Sequence, residues 1–97
     1  MWSIQIHRLV FEEDFPTIDQ AAQQRIIKAV HKKLSAAPKE YGKPLAGQGK
    51  GYWRLRVDDY RVIYQIQEEQ IEVFVIKVGI RRGDEVYQQL SFRIRKI

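Results

Sequence analysis

The stretch Tyr52–Tyr64, YWRLRVDDYRVIY, contains two apparent β-strands separated by the pair Asp58–Asp59. Apolar and polar residues alternate on both sides of this pair, so a two-residue loop there is expected to fold the strands into an antiparallel hairpin. The resulting register places Arg56 directly opposite Arg61. Like charges at such positions destabilise a strand pair by a few tenths to about 1 kcal/mol, so stability alone does not explain the arrangement.

The period of two along a strand assigns the side chains of this hairpin and of the next strand to opposite faces. One face is expected to pack on a helix, and it carries Leu55, Val57, Tyr60, Val62, Tyr64, Ile66, Ile71, Val73 and Val75. The other face carries Arg54, Arg56, Arg61, Ile63, Gln65, Phe74 and Ile76. Lys77, Arg81 and Arg82 follow beside the same sheet, so the arginine face is predicted to bind an anion.

Two other interpretations of the arginine face remain open. Acidic residues such as Asp58, Asp59 or Glu72 would neutralise the arginines if their carboxylates turned toward them. A slip of the hairpin register would instead separate the arginines.

In the segment before the hairpin, apolar residues recur first with the period of a strand and then with the period of a helix. Residues 2–8 predict a short strand, and residues 10–15 predict a first helix that stops before Pro16. A longer helix then begins at a capping box over Thr17–Gln20 or at Asp19 as N-cap. Its apolar residues recur at helical spacing up to Pro38: Ala22, Ile26, Ile27, Val30 and Leu34.

The rest of the chain predicts a loop, a three-stranded meander and a last helix. Residues 39–51 are rich in glycine and lysine and are expected to form a loop. The strands are predicted at residues 52–57, 60–67 and 71–78, with a turn at Glu68–Glu69, and a short final helix is predicted to begin near Asp84. The fold class is therefore α+β, a small antiparallel sheet packed against two N-terminal helices with a short C-terminal helical segment.

Composition narrows the class of protein. A chain of 97 residues is predicted to form one domain, residues 1–97, and its net charge of +5 with a pI of about 9.6 favours a polyanionic partner. The absence of cysteine excludes disulfides and thiolate chemistry, and His7 and His31 lack an obvious ligand partner, so neither a metal nor a cofactor is expected. No apolar run or signal peptide indicates a membrane, so a cytoplasmic location is predicted.

Five segments, PLAG, WRLRV, DYRVIY, VIKVGIRR and the following EVY, together resemble the RelE branch of the RelE/ParE superfamily of bacterial toxin–antitoxin toxins. The resemblance covers nearly the whole chain. It implies a RelE-like fold and a ribosome-dependent endoribonuclease that cuts mRNA by attack of the RNA's own 2′-hydroxyl on the adjacent phosphate. It also implies, as partners, a cognate antitoxin, the ribosome and its mRNA, and operator DNA through the toxin–antitoxin complex alone.

The resemblance assigns the catalytic set by position to Arg54, Arg56, Arg61, Arg81 and Tyr87. Familiar members of the family carry lysines at the first two positions. A guanidinium hardly ever loses its proton, so Arg56 is a poor general base, and the arginines are expected to stabilise phosphorane charge instead. Tyr87 is expected either to stack on a base or to pack the final helix.

Other functions and contacts remain open. A ParE-like toxin that inhibits gyrase without nuclease activity has a similar fold, and a purely binding member of the family would use the basic face for antitoxin or DNA. Further lysines and arginines in the loop and the tail are either contacts to ribosomal RNA or solvated charges: Lys39, Lys43, Lys50, Arg93, Arg95 and Lys96.

Overall fold

The computed structural model describes residues 1–82 and 85–97. Within them the sheet has five strands, namely β1 (Ser3–Ile6), β2 (Lys43–Pro44), β3 (Trp53–Val57), β4 (Tyr60–Gln67) and β5 (Glu72–Ile80). The α-helices described are α1 (Gln20–Ala29), α2 (Pro38–Tyr41) and α3 (Glu85–Lys96). The strand order is β1-β5-β4-β3-β2, with β1 parallel to β5 and the other pairs antiparallel. The predicted α+β class is confirmed, in a mixed sheet.

The hairpin of β3 and β4 has the predicted register. Val57 pairs with Tyr60 and Arg56 pairs with Arg61, so the two arginines stand directly opposite each other. Asp58 adopts a left-handed conformation with φ of 53°, which Asp tolerates better than most residues, and this permits the tight turn. The alternative of a register slip is therefore wrong.

The N-terminal helices differ from the prediction at Pro16. A π-helical turn covers Val10–Asp14, and a 3₁₀ turn over Phe15–Thr17 follows it directly. Pro16 lies in the first turn of this new element, where its missing N–H is not needed, so the helical path continues through it. Asp19 is the N-cap of α1, and its carboxylate accepts a hydrogen bond from the Ala22 N–H at 3.3 Å.

The end of this helical region and the following segment also differ from the prediction. A π-helical turn, Val30–Leu34, extends α1, and Pro38 begins α2 rather than closing the preceding helix. The predicted loop at 39–51 contains the end of α2, the strand β2 and a 3₁₀ turn over Gly47–Gly49. The two residues of β2 pair with Arg54 and Trp53 of β3.

The second turn of the meander is longer than predicted. A 3₁₀ turn covers Glu68–Gln70, and Ile71 follows in the left-handed conformation with φ of 50°. Ile71 is 54% exposed, so its placement on the core face was wrong. Gln67 pairs with Glu72, and this two-residue shift preserves the alternation, so Val73 and Val75 still lie in the core.

The sheet has a buried core on each face. On the first face, the π-helical turns and α1 cover the apolar side of β3, β4 and β5, with Ile26, Leu34, Leu55, Val62 and Tyr64 among the buried residues. On the second face, α3 covers Ile63 and Ile76 with Val86 and Leu90. α3 therefore covers part of the arginine face. The predicted start of this helix near Asp84 lies outside the described residues.

Gly42 allows the chain to pass close to the buried Tyr64 side chain. The Tyr64 hydroxyl donates a hydrogen bond to the Pro38 carbonyl at 2.6 Å, and burial raises the pKa of Tyr64, so the hydroxyl keeps this proton. A Cβ atom on Gly42 would overlap with the Tyr64 hydroxyl and would lie 2.9 Å from the Arg54 carbonyl oxygen. Only glycine fits at this position.

We therefore expect Gly42→Ala to lower the free energy of unfolding by about 2–3 kcal/mol, as overpacking does elsewhere. Urea denaturation measures the change. The double variant with Tyr64→Phe removes the hydroxyl that the new methyl group meets, so its loss should be smaller than the sum of the two single losses. Strict additivity would contradict the proposed overlap.

In the described part of the chain, none of the helices has the length and apolar character needed to cross a membrane.

Candidate functional site

A cleft of about 640 Å³ opens between α3, the segment around the Gly47–Gly49 turn and the arginine face of β3 and β4. Its volume is within the range of about 300–1,000 Å³ that is typical of ligand sites. The described residues that line it are Leu45, Ala46, Gly49, Arg54, Arg56, Arg61, Arg81, Tyr87 and Leu90. All five residues of the predicted catalytic set therefore line one cleft.

Arg61 lies at the base of this cleft and is held by the turn of its own hairpin. Its side chain is buried, with 5% of the residue exposed. The Nη1 atom donates hydrogen bonds to the carbonyl oxygens of Asp58 at 3.1 Å and Tyr60 at 2.9 Å. The turn thus satisfies one nitrogen of the guanidinium and fixes its orientation.

Arg81 and Tyr87 reach the same cleft from the other side. Arg81 follows the end of β5, and its N–H donates to the Asp59 carbonyl at 2.7 Å, which ties it to the hairpin turn. Tyr87 lies in the first turn of α3 and is half-buried. The end of β5 and the first turn of α3 therefore add a cation and an aromatic ring to the arginines of the hairpin.

The charges in the cleft act on one another. Burial lowers the pKa of the Arg61 guanidinium, Tyr87 opposes this effect, and the neighbouring charges of Arg56 and Arg81 lower the pKa further. Arginine nevertheless remains protonated throughout the physiological pH range. The cleft is a preformed cluster of positive charge.

Local acids do not neutralise this cluster in the described residues. The Asp58 carboxylate turns away and pairs with Arg25 of α1 at 3.0 Å. Glu72 lies at the opposite end of β5, paired with Ser3 and Gln67. Within residues 1–82 and 85–97, no carboxylate forms an ion pair with the arginines of the cleft: Arg54, Arg56, Arg61 and Arg81. An external anion is therefore the best match for these arginines.

Two basic residues were assigned wrongly from the sequence. Lys77 does not join the arginine cluster, because its Nζ pairs with the buried Asp14 carboxylate at 2.9 Å. Arg93 is only 4% exposed and also pairs with Asp14, so it is not a surface contact for RNA. Arg82 is exposed but is not among the described residues that line the cleft. The cationic site thus contains fewer basic residues than predicted. Those among the described residues that line the cleft are Arg54, Arg56, Arg61 and Arg81.

The apolar wall of the cleft was not predicted. Leu45, Ala46 and Leu90 line this wall, and Leu45 packs against the buried cluster of Ile63, Ile76, Val86 and Leu90. The segment Leu45–Gly49 is also tight, because a Cβ atom on Gly49 would lie 3.0 Å from the Leu45 side chain. One wall of the cleft is therefore apolar and the facing wall is cationic, a combination that suits a base attached to a phosphate.

The facing arginines should make the site locally unfavourable for folding. We expect Arg56→Gln to raise the free energy of unfolding by as much as about 1 kcal/mol, because it removes a like charge directly opposite Arg61. The gain should shrink in high salt, which screens the exposed Arg56. Urea denaturation at low and high NaCl measures both effects.

Arg25→Gln, which removes an exposed ion pair with Asp58, is the matched control and should give no gain. A salt-independent loss in Arg56→Gln would contradict the repulsion.

The fold and the cleft define the protein as a small basic α+β domain in which four arginines and a tyrosine line one cleft beside the sheet. Comparison with known proteins identifies the family. A family model described as "ParE toxin of type II toxin-antitoxin system, parDE" matches residues 7–85. The mRNA interferase toxin RelE of Escherichia coli K12 is 32% identical over 78 residues, which cover 80% of this chain and 78% of that protein.

Solved structures show the same fold. The RelBE2 toxin–antitoxin complex of Mycobacterium tuberculosis contains a chain that matches with a TM-score of 0.77 and 22% identity, over 82% of this chain and 98% of that chain. The isolated RelE toxin of Escherichia coli matches with a TM-score of 0.68 and 22% identity, over 97% of this chain and 99% of that chain. The chain belongs to the RelE/ParE superfamily of type II toxin–antitoxin toxins.

Proposed function

We propose that this toxin is an mRNA endoribonuclease that acts on the ribosome. The observation that carries the proposal is the convergence of Arg54, Arg56, Arg61, Arg81 and Tyr87 on one cleft. Arginine forks suit the non-bridging oxygens of a phosphodiester, because they donate paired hydrogen bonds and keep their charge. The relative named mRNA interferase toxin RelE supports this choice of substrate.

In the proposed reaction the 2′-hydroxyl of one nucleotide attacks the adjacent phosphorus. The 2′-oxygen loses its proton to water as it bonds to phosphorus, and the bond from phosphorus to the 5′-oxygen breaks. The 5′-oxygen then takes up a proton. The products are a 2′,3′-cyclic phosphate and a free 5′-hydroxyl. Negative charge on the non-bridging phosphoryl oxygens rises in the transition state, where fixed cations stabilise it most.

The positions of the side chains suggest distinct roles. Arg54, Arg56 and Arg61 lie together on the strand wall and would stabilise the phosphorane oxygens. Arg81 enters from the end of β5 and would lie nearest the leaving 5′-oxygen, while the Tyr87 ring would orient a base against the apolar wall. Because guanidinium groups do not act as bases near neutral pH, the chemistry depends on positioning and charge rather than on a strong base.

The proposed partners follow from the same site. A cognate antitoxin would bind the toxin and hold it inactive, and the RelBE2 complex of Mycobacterium tuberculosis is a precedent for such a toxin–antitoxin pair. The ribosome and its mRNA would be the target in the cytoplasm. Operator DNA would be reached only through the toxin–antitoxin complex. No cofactor is required for attack by the RNA's own hydroxyl.

A second candidate function is inhibition of DNA gyrase without nuclease activity. The family model that matches residues 7–85 carries the ParE description, and this is the observation that favours it. The cluster of four arginines with a tyrosine supports the nuclease instead, because gyrase inhibition does not require a site for a scissile phosphate.

Two parallel assays separate these functions. RNA ends are mapped in translating cells after brief induction, and gyrase supercoiling is measured with the purified toxin. The nuclease predicts new ends within ribosome-bound mRNA that carry a 5′-hydroxyl, and normal supercoiling. Inhibited supercoiling with intact mRNA would establish the ParE-like function. Unchanged cell growth with retained antitoxin binding would establish a binding-only member and overturn both activities.

A further inference from the structure

Asp14 is the centre of a buried ion cluster that joins three distant parts of the chain. Its side chain is 2% exposed. Oδ1 accepts hydrogen bonds from Lys77 Nζ at 2.9 Å and Arg93 Nη2 at 2.7 Å. Oδ2 accepts from the Val78 N–H at 2.9 Å and from Arg93 Nη1 at 2.8 Å. These four bonds use the acceptor capacity of the carboxylate, so its position is tightly determined.

The cluster replaces a missing strand at the edge of β5. β1 pairs with β5 only from Glu72 to Val75, so β5 extends beyond its neighbour. Beyond that point, Asp14 binds the N–H of Val78, and Arg93 Nη1 donates to the carbonyl oxygen of Ile76 at 2.9 Å. A buried strand edge needs such partners, because an unpaired backbone group is costly there.

The same cluster fixes the C-terminal half of α3 against the sheet. Arg93 belongs to α3, and the exposed Lys96 one turn later pairs with Glu13, next to Asp14, at 3.0 Å. Removal of the Asp14 charge would leave Arg93 and Lys77 buried beside each other without their shared counterion. Glu13 also pairs with Arg93 at 3.2 Å but is exposed, so the buried Asp14 carboxylate is the main counterion that holds this half of the helix.

The first turn of α3 packs closely on Gly79. A Cβ atom on Gly79 would lie 2.9 Å from the Val86 side chain, and Gly79 pairs with Arg61 across the sheet. Tyr87 follows Val86 and packs against the buried cluster of Ile63, Ile76, Val86 and Leu90, so the position of its ring depends on the docked helix. A helix that tilts at its C-terminal half moves its first turn with it.

We infer that Asp14 is a positioning residue for the cleft: through Arg93 it holds α3 on the sheet and thereby keeps Tyr87 beside Arg61. Asp14 itself lies outside the cleft and is not among the described residues that line it. Its effect on cleavage therefore passes through Tyr87. The effect on catalysis rests on the proposed nuclease function, whereas the effect on helix position does not.

Distance measurements between paired spin labels test the position of α3. The chain has no cysteine, so Gln24→Cys on α1 and Gln88→Cys on α3 give one exposed label on each side of the sheet. The parent should give a single narrow distance, and Asp14→Asn should broaden or lengthen it. The pair Gln24→Cys and Lys43→Cys is the matched control and should not change. An unchanged α1–α3 distance in folded Asp14→Asn would overturn the inference.

If Asp14→Asn fails to fold, Arg93→Lys carries the same test. Lysine keeps the charge beside Asp14 but lacks the planar fork that also reaches the Ile76 carbonyl. It should therefore loosen α3 while leaving the buried charges paired. A parent-like distance distribution in this variant would also count against the inference.

A double-mutant cycle tests the link to catalysis. Tyr87→Ala should slow single-turnover cleavage roughly ten- to a hundredfold, as expected when base stacking is lost. Asp14→Asn should also slow cleavage, and the double variant should be no slower than the slower single variant within about twofold. Multiplying effects would show that Asp14 is a stabilising residue only. A parent that does not cleave would refute the nuclease function, while the label distances would still decide the role of Asp14.

Discussion

Arg81→Ala is expected to slow single-turnover cleavage of mRNA on programmed ribosomes by about 100- to 1,000-fold, the usual cost of removing one well-placed donor to transition-state charge. Arg81 is exposed at the end of β5 and lines the cleft, so its loss should affect the reaction rather than the fold. Binding of toxin to the ribosome should change much less, because many other cations remain on the surface.

Arg82→Ala is the matched control for this prediction. Arg82 is the next residue, it is equally exposed, and it is not among the described residues that line the cleft. It should cleave within about threefold of the parent, since the loss of one solvated charge weakens a polyanion contact only modestly. Equal losses in the two variants would indicate general attraction to RNA and would contradict a specific role for Arg81.

Arg61→Ala should cause a loss of the same order, about 100- to 1,000-fold in rate. Because Arg61 is buried, its folding must be verified by urea denaturation before the rate is interpreted. Arg61→Lys should recover only part of the activity, because an ammonium group cannot bind the Asp58 and Tyr60 carbonyls and a phosphate with the same fork. Parent rates in both Arg81→Ala and Arg61→Ala would show that the assigned roles are wrong.

Arg93→Met is expected to lower the free energy of unfolding by about 3–5 kcal/mol, because it removes one partner of a buried ion cluster. That is a large share of the roughly 5–15 kcal/mol that stabilises a small domain. The remaining partner Asp14 has Lys77 but loses both bonds from the guanidinium, and the Ile76 carbonyl loses its donor. Urea denaturation monitored by tryptophan fluorescence measures the loss.

Arg95→Met is the matched control, since it makes the same substitution two residues along α3 at an exposed site. It should change stability by less than about 0.5 kcal/mol, as surface substitutions usually do. Simultaneous replacement of Asp14, Lys77 and Arg93 by apolar residues should recover part of the loss, because no charge is then buried alone. A loss in Arg93→Met no larger than that in Arg95→Met would contradict the buried cluster.

The sequence predicts the central hairpin and the arginine face well, because both depend on local rules. Alternation over Trp53–Gln67 assigns the faces, and the Asp58–Asp59 turn sets the register that brings Arg56 opposite Arg61. The position of Arg81 just after the last predicted strand placed it beside the sheet, and the family resemblance assigned Arg81 and Tyr87 to the catalytic set. The structure places both in the same cleft as the hairpin arginines.

The sequence does not predict which basic residues become buried. Lys77 and Arg93 lie 63 and 79 positions from Asp14, and no period or local motif links residues at such separations. β5 also contains a β-bulge, where Ile63 of β4 pairs with Lys77 and Tyr64 pairs with Val75. The bulge adds one residue to β5, so the simple alternation of faces does not continue past it. Ile71 was assigned to the core face because it is apolar and follows the alternation, but it is a left-handed turn residue, and periodicity does not reveal such a turn.

A structure of the toxin on a ribosome whose mRNA carries a 2′-O-methyl group at the cleaved nucleotide would show where the scissile phosphate binds, because the methyl group blocks the attacking oxygen. If the arginine cleft is the nuclease site, one backbone phosphate should lie in it within hydrogen-bond distance, about 3 Å, of the guanidinium groups of Arg61 and Arg81. Tyr87 should then lie against a base next to that phosphate. An mRNA backbone bound elsewhere on the toxin, with the arginine cleft empty, would show that these arginines do not form the nuclease site.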